Sequence, residues 1–222
     1  ALVDILLNKR EGDFQNIRGR TSFPVRGRVV FLGDYIDRGP DTRDVLHRLL
    51  TFDIFGLTPV FLKGNHETVL LDALTDPSAC RAWLQHGGDA TMLSYGVTID
   101  PNAEAHDIER ALVTFRSKFP RDHRGFLENL KTFYQTETLF FVHAGVDPGK
   151  PLDRQEDEDY LWIRDVFLSS KKPLPLIVVH GHTPQSKPSW DGRRIGVDTG
   201  AYFTNTLNSA RIRGNTVEFI ST

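Results

Sequence analysis

The sequence predicts an α/β fold, and three observations carry that reading. Four apolar, β-branched or aromatic runs stop at a ligand-type residue beside Gly or Ala: Val29-Val30-Phe31-Leu32 before Gly33-Asp34, Val60-Phe61-Leu62-Lys63 before Gly64-Asn65-His66, Leu139-Phe140-Phe141-Val142 before His143-Ala144-Gly145, and Leu176-Ile177-Val178-Val179 before His180-Gly181-His182-Thr183. Such runs read as buried strands. A helical pattern over 42–55 separates the first two, the strand–helix–strand order of a βαβ unit with a parallel pair. Residues 67–119 show no strand-like alternation, which predicts a helical insertion over about 68–130 between sheet strands. Ligands of α/β sheets gather at the carboxyl ends of strands. Asp34, Asn65, His143 and His182, delivered to one such rim, therefore describe a site with a metallic donor set.

Residues 1–9 place most of their apolar positions on one helical face, and 11–27 read as a loop. After the first strand, Asp41-Thr42 can cap a helix reaching 55, with Gly56 ending it. A strand spans 58–63. Helices are predicted at 68–74, 78–86, 89–95 and 103–119, separated by Asp76-Pro77, Gly87-Gly88 and Gly96, with a further short one between Pro120 and Asn129. Two strands come next, at 131–136 and 138–142. A helix over 156–168 starts with acids and is followed by Lys171-Lys172, which counters its macrodipole at both ends. The remainder is β-rich, with strands at 194–197, 206–213 and 217–220.

A chain of 222 residues suits one medium domain with a sizeable core. A net charge of −2 and the lack of a basic stripe argue against nucleic acid and anionic membranes as partners. No apolar run approaches the ~20 residues that span a bilayer. The single cysteine, Cys80, excludes an internal disulfide and suits a reducing cytoplasm. Oligomeric state is not legible.

The donor set mixes carboxylate oxygen, amide oxygen and two imidazoles, a blend that suits Mn, Fe or Zn better than Mg or Ca. No zinc-finger or HExxH spacing is present. A two-metal site would hold its ions ~3.5–4 Å apart, clamp a phosphoryl oxygen and deprotonate a bridging water. Asp34 lies where a carboxylate could bridge both ions. His66 follows Asn65 and can point across the site as a general acid, with Asp37 placed to hold and polarise it. Arg38 offers the planar fork suited to phosphate. Blander readings stand beside these: Asn65 could cap a helix beginning near Glu67, and Arg164 could be a surface charge. Glu67 reads as a hydrogen-bond acceptor behind the ligands, and His180 as structural. His47, His86, His106 and His123 read as surface residues, the acids of 153–159 as a solvated helix start, and Asp198 carries no assigned chemistry.

Gly33-Asp34-Tyr35-Ile36-Asp37-Arg38-Gly39, Gly64-Asn65-His66-Glu67, His143-Ala144-Gly145 and His180-Gly181-His182-Thr183 together resemble the signature of the phosphoprotein phosphatases, serine/threonine phosphatases of the calcineurin-like metallophosphoesterase superfamily, and of their short bacterial members most of all. The resemblance implies two packed, mixed β-sheets flanked by helices and two divalent ions, manganese first, with iron or zinc as alternatives. It implies Asp34 as bridging ligand, with Asn65, His143 and His182 on the second ion. It further implies His66 as acid, Asp37 as its partner, and Arg38 and Arg164 (in Leu161-Trp162-Ile163-Arg164) as phosphate-binding arginines, Asn65 also lying against substrate. The implied reaction is attack of a metal-activated water on a phosphorylated protein or a small phosphoester. A symmetrical dinucleoside polyphosphate hydrolase shares these motifs, but Asp37 and Glu67 fit the protein phosphatase pattern better. A non-catalytic binding remnant is the reading of a different class.

One departure stands out. The family opens with a strand ending in Gly-Asp-x-His-Gly, which supplies two ligands to the first ion, and no such motif is found here. Gly12-Asp13-Phe14-Gln15-Asn16 lacks both the preceding strand and the histidine, and Gly88-Asp89 fails likewise. The chain opens on Ala1, and the expectation is a truncated N-terminus with an impaired first metal site and little activity in the 222-residue chain itself.

Overall fold

The computed structural model describes residues 27–54 and 56–222. The helix and loop expected over 1–26, with Gly12-Asp13, lie outside the described residues. Gly27–Phe31 (β1) and Leu57–Phe61 (β2) pair in parallel around Thr42–Leu50 (α1), as a βαβ unit requires. Helix α1 ends at Leu50, short of the expected 55, and Asp41 makes no side-chain cap. The early stop comes from the residues after Leu50. The chain turns at Thr51, whose N–H and hydroxyl both reach the His47 carbonyl, so that Phe52 sets its ring edge-on against Phe31 at 5.3 Å and Phe61 at 6.4 Å. Aromatic burial between the strands outweighs one more helical turn.

The second sheet has five strands in the order β3-β4-β5-β7-β6: Phe133–Gln135 (β3), Leu139–Val142 (β4), Ile177–His180 (β5), Ser189–Trp190 (β6) and Arg194–Gly196 (β7). Its β4–β5 and β5–β7 pairings are parallel and its two edge pairings antiparallel, so the sheet is mixed. Lys131 stitches β2 to this layer, donating to the Phe61 carbonyl and accepting from Lys63 N–H. Asn208–Arg213 (β8) and Thr216–Ser221 (β9) form a separate antiparallel hairpin.

The helical insertion comprises Asn65–Ala73 (α2), Pro77–Trp83 (α3), a kinked turn at Leu84–Gly88, Asp89–Ser94 (α4), Ala105–Lys118 (α5) and Arg121–Glu128 (α6). Ile108, Leu112 and Phe115 recur at helical spacing on α5 and are buried against Trp83, Leu70 and Met92. His123 is not a surface residue: it is buried, sharing a 2.6 Å hydrogen bond through Nδ1 with the Tyr95 hydroxyl. Burial follows from α6 turning this face toward Tyr95 and Phe119.

The helix expected over 156–168 is two helices, Asp157–Trp162 (α7) and Asp165–Leu168 (α8). The Tyr160 carbonyl, which would accept from the Arg164 N–H in a continuous helix, instead accepts from Ala144 N–H at 2.8 Å. The backbone breaks at Ile163 and Arg164 (φ −132°, ψ −100°) as a result. Among the described residues no helix is long and apolar enough to cross a membrane.

Candidate metal centre and acid–base pair

Backbone strain marks the rim where the two sheets meet. Asp34, Asp37, Arg38 and His182 adopt positive φ of 58°, 69°, 62° and 64°. Left-handed non-glycine residues cost of order 1–3 kcal/mol each and persist only where the surroundings over-determine them. The over-determination is visible. Fully buried Glu67 accepts backbone N–H groups from Asp34 (2.9 Å), Tyr35 (2.6 Å) and Gly64 (2.7 Å), binding the loops after β1 and β2 into one unit. Burial, reinforced by the nearby Asp34 charge, pushes its pKa up to about 7 against the pull of those hydrogen bonds. The Tyr35 hydroxyl adds a second tie, donating to the Leu62 carbonyl at 2.7 Å.

The two loops approach so closely that Gly33, at φ 97°, has no room for a side chain: a Cβ would stand 2.5 Å from Gly64 N. Gly33→Ala is therefore expected to destabilise by at least ~1–3 kcal/mol, through clash and left-handed backbone together. Gly214→Ala, where φ is 54° and nothing lies within 4 Å, isolates the backbone part. Equal urea midpoints for the two variants would show that the loop approach is not constrained.

Four electron-pair donors converge beside this strained rim. The Leu32 carbonyl can only accept, so His143 Nδ1 at 2.7 Å carries the proton, and in that tautomer Nε2 is the atom free to offer a lone pair. That Nε2 lies 3.0 Å from Asn65 Oδ1, 3.1 Å from His182 Nδ1 and 3.4 Å from Asp34 Oδ1. The ligand atoms of Asp34, His143 and His182 all fall within 4.8 Å of one another. An ion with bonds of about 2.1 Å has octahedral and tetrahedral edges of about 3.0 and 3.4 Å. The three separations from His143 Nε2 match those edges, so these residues fit a divalent ion. Among the described residues buried His182 Nε2 has no hydrogen-bond partner, and burial, with His143 and Arg164 nearby, pulls the His182 pKa down to about 3, leaving the ring neutral. Burial works against the Asp34 charge, but the fields of His143 and His66 and the hydrogen bond from the His66 backbone N–H hold its carboxyl below the ordinary value.

His66 stands apart from this cluster. Its Nδ1 is 2.7 Å from Asp37 Oδ2, and the Asp37 side chain is fully buried. Desolvation opposes a charge on His66, but the hydrogen bond to Asp37 and the fields of Asp34 and Asp37 prevail and raise its pKa. The carboxylate is held on two further sides, by Trp83 Nε1 at 3.0 and 3.1 Å and by Thr91 Oγ1 at 2.7 Å. In the sequence both residues read as helix interior. The only local signal is the Gly87-Gly88 pair between them, which reads as a helix break.

Arg38 is exposed, its guanidinium stacked 4.3 Å over the ring of Tyr202, while its N–H donates to the Gly87 carbonyl. The α7–α8 break turns Arg164 toward the last donor strand, where Nη1 lies 3.4 Å from the His182 carbonyl and 3.3 Å from Thr183 Oγ1. Asn65 is the first residue of α2 and does not cap it; Gly64 holds the cap position. His180 is buried edge-on against Phe167, and burial lowers its pKa to about 4. Asp198 accepts the Gly200 N–H at 2.8 Å, and burial raises its pKa, with Asp34 adding to the effect.

Known proteins resemble most of the chain. A bis(5'-nucleosyl)-tetraphosphatase PrpE [asymmetrical] from Halalkalibacterium halodurans is 26% identical over 214 residues, covering 92% of this chain and 82% of the relative. One of the same name from Bacillus anthracis is 21% identical over 223 residues, covering 90% and 85%. A solved structure provisionally named a diadenosine tetraphosphatase aligns with a TM-score of 0.59 at 20% identity, over 94% of this chain and 86% of that one, which bears on the fold alone. Residues 13–211 match the calcineurin-like phosphoesterase profile, and by that extent of match the chain belongs to the calcineurin-like phosphoesterase family.

Proposed function

We propose that the protein is a divalent-metal-dependent phosphoester hydrolase whose substrate is a dinucleoside polyphosphate. Convergence of Asp34, Asn65, His143 and His182 lone pairs at ion-polyhedron spacing supports the hydrolase reading. The shared name of the relatives supports the substrate. Exposed Tyr202, stacked under the Arg38 guanidinium, and exposed Phe203, edge-on to Tyr202, offer aromatic faces for a nucleoside next to a phosphate clamp.

Asp34, Asn65, His143 and His182 would hold the ion, which when bound supplies Lewis-acid polarisation of a phosphoryl oxygen and lowers the pKa of water. Manganese is our first candidate, with iron or zinc behind it. Arg38 and Arg164 bind phosphoryl oxygens. His66, with Nδ1 committed to Asp37, presents Nε2 and delivers its proton to the departing oxygen; Asp37 keeps the ring oriented and protonated at Nδ1.

The competing substrate is a phosphoserine or phosphothreonine protein, favoured by Asp37 and Glu67, which fit the protein phosphatase pattern. Product analysis separates the readings. With a dinucleoside tetraphosphate, asymmetrical cleavage gives a nucleoside triphosphate and a monophosphate, whereas the symmetrical cleavage read from the motifs gives two diphosphates. The expected result is kcat/KM at least ~100-fold higher on the dinucleotide than on a phosphoserine peptide, a gap of about 2.7 kcal/mol in transition-state binding. A preference for the peptide would overturn the substrate assignment and leave the hydrolase reading standing.

A further inference from the structure

We propose that Trp83 and Thr91, both contributed by the helical insertion, are positioning residues that hold Asp37, and through it His66, in the geometry for proton transfer. The proposal rests on the reading of His66 as the general acid. Asp37 sits in left-handed backbone at φ 69°, a conformation that costs energy in a non-glycine residue and that the contacts to its backbone help to hold. Thr91 pins it twice with one hydroxyl: Oγ1 accepts the Asp37 N–H at 2.9 Å and donates to Asp37 Oδ1 at 2.7 Å. Trp83 Nε1 reaches both carboxylate oxygens, leaving the short Oδ2 contact to His66 Nδ1 as the third arm of the clamp.

Packing alone does not account for this arrangement. Trp83 and Thr91 are both fully buried, and the indole does pack 5.5 Å from Phe115 as a core aromatic would. Its polar edge, however, is aimed at the one carboxylate that touches His66. The segment between them is shaped for the same loop. The chain kinks within Leu84–Gly88 at Gly87, whose φ is 100° and whose carbonyl accepts the Arg38 N–H at 3.1 Å. A Cβ on Gly87 would stand 2.6 Å from Arg38 Cγ, and one on Gly88 would stand 2.4 Å from the indole. The Trp-x4-Gly-x2-Thr spacing of Trp83, Gly88 and Thr91 thus lets the insertion grip the Asp37-Arg38 loop.

Thr91→Val and Trp83→Phe, made alone and in a His66→Asn background, test the assignment in full-length protein loaded with manganese. With a dinucleoside tetraphosphate as substrate, each is expected to lower kcat on the order of 10–100-fold with KM within about twofold, since sub-ångström misplacement of a reacting group costs this much. Thr91→Ser, which keeps the hydroxyl, should recover most of the loss, and bound metal should not change. In the His66→Asn background neither substitution should cost more than about twofold further, because the route through His66 is already closed. The downfield Nδ1–H resonance of His66 should shift in Thr91→Val, a readout independent of turnover. Equal losses in both backgrounds, or a loss confined to KM or metal content, would overturn the proposal while leaving His66 as the acid. Undiminished turnover in His66→Asn alone would instead overturn the acid assignment beneath it, and the proposal with it.

Discussion

Replacing His143 or His182 with alanine is expected to strip the protein of divalent metal and, as a consequence, of activity. Each ring supplies one of four donors spaced like the edge of a coordination polyhedron, and neither has a competing task that would keep the ion in place. Removing a residue that only orients a ligand typically costs 10–100-fold in metal affinity, so loss of a ligand should cost at least ~100-fold. The two variants should differ in stability. His143→Ala abandons the Leu32 carbonyl and leaves the buried Asn65 amide facing a gap. His182→Ala removes a ring with an unpartnered Nε2 and should be tolerated better by the apo fold. Elemental analysis and calorimetric titration of manganese check the metal, and thermal melts of chelator-treated protein check the fold. Wild-type stoichiometry in both variants would refute the ligand assignment.

His66→Asn is expected to retain metal and fold while losing turnover by ~10²–10⁴-fold, the usual worth of general acid catalysis. His66 lies one residue from Asn65, but its Nδ1 faces Asp37 rather than the donor cluster. Asparagine can preserve a hydrogen bond to Asp37 Oδ2 and so limits collateral disruption of a fully buried carboxylate. The loss should grow as the leaving group becomes more basic, because a poor leaving oxygen needs its proton earlier. Rates on 4-nitrophenyl phosphate and phenyl phosphate, alongside a dinucleoside tetraphosphate, measure that dependence. A loss of equal size on all three substrates would indicate that His66 positions substrate instead of protonating it.

What the sequence by itself determined here is the grammar of strand, glycine and ligand. Asp34, Asn65, His143 and His182 each follow an apolar run in the chain, so alternation, β-branching and the strand-end rule for α/β sheets sufficed to anticipate one shared rim. The mixed α/β architecture and the helical insertion were legible for the same reason: hydrophobic period is a local property. Other features depended on partners distant in sequence. The α7–α8 break exists because Ala144 takes the Tyr160 carbonyl, and α1 stops early because Phe52 has Phe31 and Phe61 to pack against. His123 is buried through Tyr95, and Trp83 and Thr91 meet Asp37 across 46 and 54 residues of chain. No residue pattern announces a hydrogen bond to a group so far away. Such contacts were decided by tertiary structure alone, since packing sets which buried donors and acceptors must satisfy one another.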